Sequence, residues 1–98
     1  MNEPMMTTEE IALEAIRNEL SRARSLWGDM ASAHEAYSVI LEELEEFWEE
    51  VKANKGDPVE HKRRMKKELI QLGAMVGRAL VDLGLMDVRS AQPEEVGS

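Results

Sequence analysis

The sequence predicts an all-α protein: an antiparallel helical hairpin plus an N-terminal helix, completing a four-helix-type bundle by oligomerisation. Three observations predict it. Apolar residues recur at the 3.6-residue period over two long windows, strand patterning is almost absent, and one short breaker, "NKGDPVE", separates the windows. Two long helices joined by so short a turn lie side by side and antiparallel. Residues 1–6 and 88–98 read as flexible ends, which leaves 7–87 as a single helical domain.

The first helix starts at a capping box, Thr7 with Glu10 three residues later. Its apolar stripe is sparse (Ile11, Ala15, Leu20, Leu26), which predicts a peripheral helix. "WGDM", Trp27 to Met30, interrupts it at Gly28. The second helix is expected from about Ser32 to Ala53, with Ala33, Tyr37, Ile40, Leu44, Phe47, Trp48 and Val51 as its apolar face. Gly56 then suits a left-handed C-cap, Asp57 an N-cap and Pro58 the first position of a third helix. That helix is expected to run to about Leu83, stopped by Gly84.

The second half of the third helix is apolar all round. Leu69, Leu72, Val76, Ala79 and Leu83 take one face; Ile70, Ala74, Gly77 and Val81 take the opposite one. A helix of that kind is buried on every side, and one hairpin with a thin first helix cannot enclose it. A second copy of the chain is therefore expected, as a homodimer or homotetramer. Gly73 and Gly77 each cost about 1 kcal/mol of helix propensity against alanine, and mark a close helix crossing or room for a ligand.

Six glutamates occupy the nine positions from Glu42 to Glu50. At 100° per residue they divide. Glu42, Glu45 and Glu49 turn away from the apolar stripe, while Glu43, Glu46 and Glu50 form a row along its flank. Carboxylates three residues apart on a helix have β-carbons about 5–6 Å apart. They repel by about 0.8 kcal/mol in water and roughly 3 kcal/mol at an effective dielectric of 20. On the third helix Glu68 falls within the arc of Leu69, Leu72 and Met75, with Gln71 at i+3. In an antiparallel hairpin, Glu43 and Glu46 can face Glu68 and Gln71 and make a hard, oxygen-rich site suited to Mg²⁺ or Mn²⁺. The competing reading is a solvated acidic face paired with Arg63, Arg64, Lys66 and Lys67.

Composition narrows the partners. A net charge of −8 disfavours nucleic acid as a partner unless a cation bridges the two. No segment approaches the length of a membrane span, so no membrane association is expected. With no cysteine and two histidines, disulfides are excluded and zinc is disfavoured. No targeting signature leads the chain, and a cytoplasmic location is expected.

The acidic residues carry a resemblance. Glu42-Glu43-Leu44-Glu45-Glu46 followed by Glu68-Leu69-Ile70-Gln71 resembles the E-E-x-x-E … E-x-x-D signature of the MazG-like all-α nucleoside triphosphate pyrophosphatase superfamily. The 21 residues between Glu46 and Glu68 suit that family's spacing. Upstream, Trp27-Gly28-Asp29, His34, Tyr37 and Leu41 are similar to the approach to its first motif. Downstream, "VGRALVDLGL" is similar to the segment after the second. The likeness spans about residues 27 to 85.

The resemblance implies an oligomer that cleaves an NTP or dNTP between the α and β phosphates, giving monophosphate and pyrophosphate, with Mg²⁺ (Mn²⁺ as the alternative) as cofactor. It implies Glu43, Glu46 and Glu68 as catalytic metal ligands. A lysine or arginine of the third helix, Arg78 first among them, is expected to hold phosphate oxygens. Trp27, His34 and Tyr37 are candidates for substrate binding, and Trp27, Tyr37 or Trp48 for stacking on a base, with core packing as the alternative for the aromatics. One position departs: Gln71 stands where the family has Asp. An amide oxygen still coordinates Mg²⁺ but brings no charge and cannot act as a base. Asp82, three turns further on, is a candidate ligand for a second, displaced metal, with a surface position as the alternative. The departure keeps open a catalytically degenerate nucleotide- or metal-binding relative, and a helical interaction protein.

Overall fold

Three α-helices account for the regular structure: α1 (Thr8–Leu26), α2 (Ala33–Ala53) and α3 (Pro58–Asp82). The structure is a computed structural model that describes residues 5–53 and 56–86; there is no strand among them. The expected tail at 88–98 and most of the N-terminal segment lie outside the described residues. Among the described helices none is long and apolar enough to cross a membrane.

The ends form where the local chemistry places them. Thr7 Oγ1 accepts from the Glu10 N–H at 3.1 Å while Glu10 Oε1 accepts from the Thr7 N–H at 2.8 Å, closing the capping box. Ser32 Oγ accepts from the Glu35 N–H at the start of α2. Asp57 Oδ1 accepts from the Val59 N–H at 3.0 Å, with Pro58 behind it where no N–H is needed. Gly84, at φ +67°, turns the chain out of α3 while the Leu85 N–H returns to the Leu80 carbonyl.

α2 and α3 are antiparallel. Met30 meets Asp82, Glu43 approaches Glu68, and Glu50 meets both His61 and Arg64, so numbers fall along one helix as they rise along the other. The His61 imidazole Nε2 lies 2.8 Å from the Glu50 backbone carbonyl, so this ring is half-buried against α2.

α1 is less peripheral than its sparse stripe suggests. It packs on α3, as does α2, and the two do not pack on each other among the described residues. Its inward face is Ile16, Glu19, Leu20 and Ala23, while Ile11 and Leu26 are more than half exposed. The reason lies on α3. Gly73 and Gly77 open a groove there, and a β-carbon on either would stand 3.1 Å from Ile16 Cδ1 or Leu20 Cδ2. The close crossing that the glycines mark is therefore with α1.

The apolar face of α2 also divides differently. Ala36 is buried and Val39, Ile40, Glu43 and Phe47 are partly buried, whereas Tyr37, Leu41, Leu44 and Trp48 point outward. The core is made of small or flexible residues: Ala23, Ala36, Ala74 and Ala79, with Met30 and Met75. Among the described residues no large side chain is fully enclosed. Interiors of stable domains are close-packed, so this surface is short of cover.

Candidate functional site

The acidic row of α2 lies on its packed side. Ala36, Ile40, Glu43 and Phe47 recur at helical spacing, so the contact that buries Ala36 and Ile40 carries Glu43 towards α3. Glu46 follows one turn later, and Glu68 comes from the facing turn of α3. One carboxylate oxygen from each of Glu43, Glu46 and Glu68 lies within 4.8 Å of the others. Glu43 and Glu68 are half-buried; Glu46 is exposed.

No arginine or lysine among the described residues closes an ion pair with these three. Arg64 Nε donates to Glu50 at 3.0 Å, and Arg63 to Glu60 at 2.9 Å. Glu43 Oε2 and Glu68 Oε2 are shut from solvent and lack a hydrogen-bond partner. Burial, and then the charges of Glu46 and Glu68, push the Glu43 carboxyl up to about 7. Burial and Glu46 push Glu68 upward too, with Lys67 pulling the other way. Like charges this close repel by roughly 3 kcal/mol at an effective dielectric of 20. The donor set, hard oxygens with two of them unpartnered, fits a divalent cation of the Mg²⁺ or Mn²⁺ kind.

A cleft of about 600 Å³ reaches the cluster at Glu43, the one of the three carboxylates that lines it. Glu42, Glu43 and Gln71 line one side; Trp27, Asp29 and Glu35 lie towards its mouth; Val39, Met75 and Arg78 complete the wall on the hairpin. Glu19 and Arg22 of α1 form the opposite wall. The sequence reading named no residue of α1 for the site. The signal was there: Glu19 interrupts the Ile16, Leu20, Ala23 face, and its side chain is 17 % exposed.

The remaining expected site residues fall in different places. Gln71 lines the cleft with Glu42 and Glu43. Trp27 lines it while remaining mostly exposed. Tyr37 and His34 do not line it; both are exposed on α2. Arg78 borders the cleft, but its Nη2 donates to the Gly28 carbonyl at 2.7 Å and its Nη1 contacts Met75 Sδ at 3.6 Å.

Asp82 has a different task from the one expected of it. Its side chain, 1 % exposed, pairs with Arg24, accepts from the Met30 N–H at 3.0 Å and lies 3.8 Å from Arg78 Nε. Burial pushes its carboxyl upward, but the Met30 N–H, Arg24 and Arg78 together hold it below the ordinary value. Those contacts engage both of its oxygens in tying α1, the α1–α2 loop and α3 together, so Asp82 is a structural anchor rather than a spare ligand.

Comparison with family models, with curated proteins and with solved structures finds no match to this chain.

Proposed function

We propose that the chain is a Mg²⁺-dependent nucleoside triphosphate pyrophosphohydrolase of the MazG-like kind, acting as a homo-oligomer. The observation that carries the reading is the convergence of Glu43, Glu46 and Glu68 from two helices, with two buried carboxylate oxygens left unpartnered and Glu43 at the edge of a cleft. The order and spacing of the motif residues point the same way.

Glu43, Glu46 and Glu68 would hold the cation, with Gln71 offering a neutral oxygen beside them. A bound Mg²⁺ supplies charge neutralisation for a triphosphate and lowers the pKa of a bound water. The chain's own contribution is placement. Glu42 shares the cleft wall with Glu43 and can accept a hydrogen bond from the attacking water. Water adds at the α phosphorus, the bond to the β-phosphate oxygen breaks, and pyrophosphate leaves with the electron pair. Trp27 presents an exposed ring at the mouth, an apolar plane on which a base can stack.

The oligomer rests on the uncovered apolar surface. Tyr37, Leu41, Leu44 and Trp48 follow the four-three-four spacing of a helix-packing seam and are 66, 37, 47 and 54 % exposed. Leu69, Val76 and Leu80 of α3 are exposed as well. A second copy that covers this seam supplies the large buried side chains that one chain lacks.

The test is release of pyrophosphate from a panel of NTPs and dNTPs with Mg²⁺ or Mn²⁺. Turnover that Glu43→Gln or Glu68→Gln abolishes supports the reading; no turnover at high enzyme with either metal rejects it. Gln71 favours one second reading, a relative that keeps the cation and nucleotide site without catalysis. It predicts no turnover, a melting temperature raised by Mg²⁺, and gain of activity in Gln71→Asp.

A further inference from the structure

In a chain of net charge −8, four of the twelve lysines and arginines gather round one second cleft, of about 520 Å³, between α1 and α3. Arg22 comes from α1, and Arg63, Lys66 and Lys67 come from α3. The cause is register. Arg63, Lys66 and Lys67 follow i, i+3, i+4 spacing on the stretch of α3 that precedes Gly73, and Ile70 continues that row towards α1.

Glu19, Arg22 and Gln71 line this cleft and the carboxylate cleft alike. The two are therefore one trough, with Glu43 of the carboxylate cluster at one end and cations at the other. The cations differ in how far they are committed. Arg63 is paired with Glu60 at 2.9 Å and Arg22 with Glu19 at 2.6 Å, the latter with 55 % of the arginine side chain exposed. Lys66 and Lys67 make no ion pair among the described residues. Both are exposed on flexible stems. An exposed ion pair such as Arg22–Glu19 is worth at most about 1 kcal/mol, so an anion can displace the carboxylate from it.

The geometry points to Lys66, Lys67 and Arg22 as an anion subsite for the far phosphates of a polyphosphate chain, laid along the trough from the basic end to Glu43, where the trough meets the carboxylate cluster. Its use on a nucleoside triphosphate rests on the hydrolase reading; the subsite itself does not. It explains how an acidic protein draws in a polyanion. Carboxylates bound to a cation handle the phosphate next to the reaction, and fixed cations hold the leaving end. It also assigns that end to α1 and the first half of α3, and not to Arg78, whose guanidinium is already bonded to Gly28.

The test uses inorganic tripolyphosphate, titrated calorimetrically into the full chain with and without Mg²⁺. The variants are Lys66→Ala/Lys67→Ala, Arg22→Ala, Glu68→Gln and, as a single-charge control beyond this groove matched to Arg22→Ala, Lys62→Ala. Expected is binding by the wild type that weakens at least tenfold in the double lysine variant, several-fold in Arg22→Ala and not in Lys62→Ala. Affinity should also fall as salt rises. Without Mg²⁺, binding is weaker but keeps its dependence on the lysines. Unchanged affinity in the double variant overturns the inference, as does an equal loss in Lys62→Ala or no binding by the wild type. Lysine-dependent tripolyphosphate binding without nucleotide turnover overturns the hydrolase reading and leaves the subsite standing.

Discussion

Arg78 of α3 donates to the backbone carbonyl of Gly28 across 2.7 Å, fixing the loop between α1 and α2 against the central helix. Asp82, one turn on, anchors the same loop through the Met30 N–H and grips α1 through Arg24. Arg78 is 7 % exposed, so its charge is tolerable because a carboxylate stands nearby.

Removing Asp82 tests this anchor. Asp82→Ala leaves the buried guanidinium of Arg78 without its counter-charge, an error of about 3–5 kcal/mol. Asp82→Asn keeps an acceptor for Met30 and should cost less. Urea unfolding should rank wild type, Asn and Ala in that order. Mg²⁺ affinity measured on the folded fraction of Asp82→Asn should be unchanged.

The pH profile of stability should have two limbs of opposite sign. Asp82 is held below its ordinary value in the folded chain, so its contribution is present above about pH 4 and is lost as pH falls through the folded value. Glu43 is raised from 4.5 to about 7, so its contribution is complete below 4.5 and is lost as pH rises to about 7. Thermal melts without divalent ions should therefore peak in mild acid and decline towards neutrality. A profile still climbing between pH 5 and 7 would refute the placement of Glu43.

Glu43→Gln separates stability from function. At pH 8 without divalent ions it relieves like-charge repulsion and should stabilise the fold by about 1 kcal/mol, reduced from the full linkage value by solvent screening. For a domain of this size that is a rise of about 4–8 °C in Tm. Added Mg²⁺ should raise the Tm of the wild type and leave the variant unmoved. A variant that melts lower than wild type in EDTA would count against the crowding of these carboxylates.

The two helix-crossing glycines should respond differently to alanine. At Gly73 a β-carbon meets three atoms of Ile16 at 3.1–3.4 Å, and a β-branched side chain has little freedom to withdraw. At Gly77 it meets one Leu20 methyl at 3.1 Å, the next atoms being at 3.6 and 3.8 Å. Overpacking costs about 1–3 kcal/mol, against a helix-propensity gain of about 1 kcal/mol. Gly73→Ala should destabilise by about 1 kcal/mol, and Gly77→Ala should be neutral or slightly stabilising. Chemical denaturation resolves the difference.

Leu44→Glu tests the proposed oligomer: it should sediment as a monomer where the wild type does not, with a lower Tm that depends less on protein concentration. Wild-type protein that sediments as a monomer at high concentration rejects the second-copy reading.

Helix positions were legible because their signals are local: Thr7 with Glu10, Asp57 with Pro58, and Gly84 each act within a few residues of themselves. The approach of Glu43 to Glu68 was legible because antiparallel pairing follows from a short turn. The division of α2 was less so. Tyr37 and Ile40 lie only three positions apart, and which one faces α3 depends on where Ala36 lets the helices approach, a packing choice that periodicity does not encode. Asp82 was misread for a similar reason. Its partners Arg24 and Met30 lie 58 and 52 residues away, and no spacing rule brings them together. Glu19 and Arg22 escaped because a sparse stripe hides the groove that Gly73 and Gly77 cut to receive it.

Among the described residues α1 and α2 each pack on α3 and not on each other, so the central helix is an axle carrying two vanes. A molecule seated between Arg22 of α1 and Glu43 of α2 adds a link between parts otherwise joined only through α3 and the loop anchored at Asp82. Its grip should therefore register as slower amide exchange along α1, even at residues it never touches.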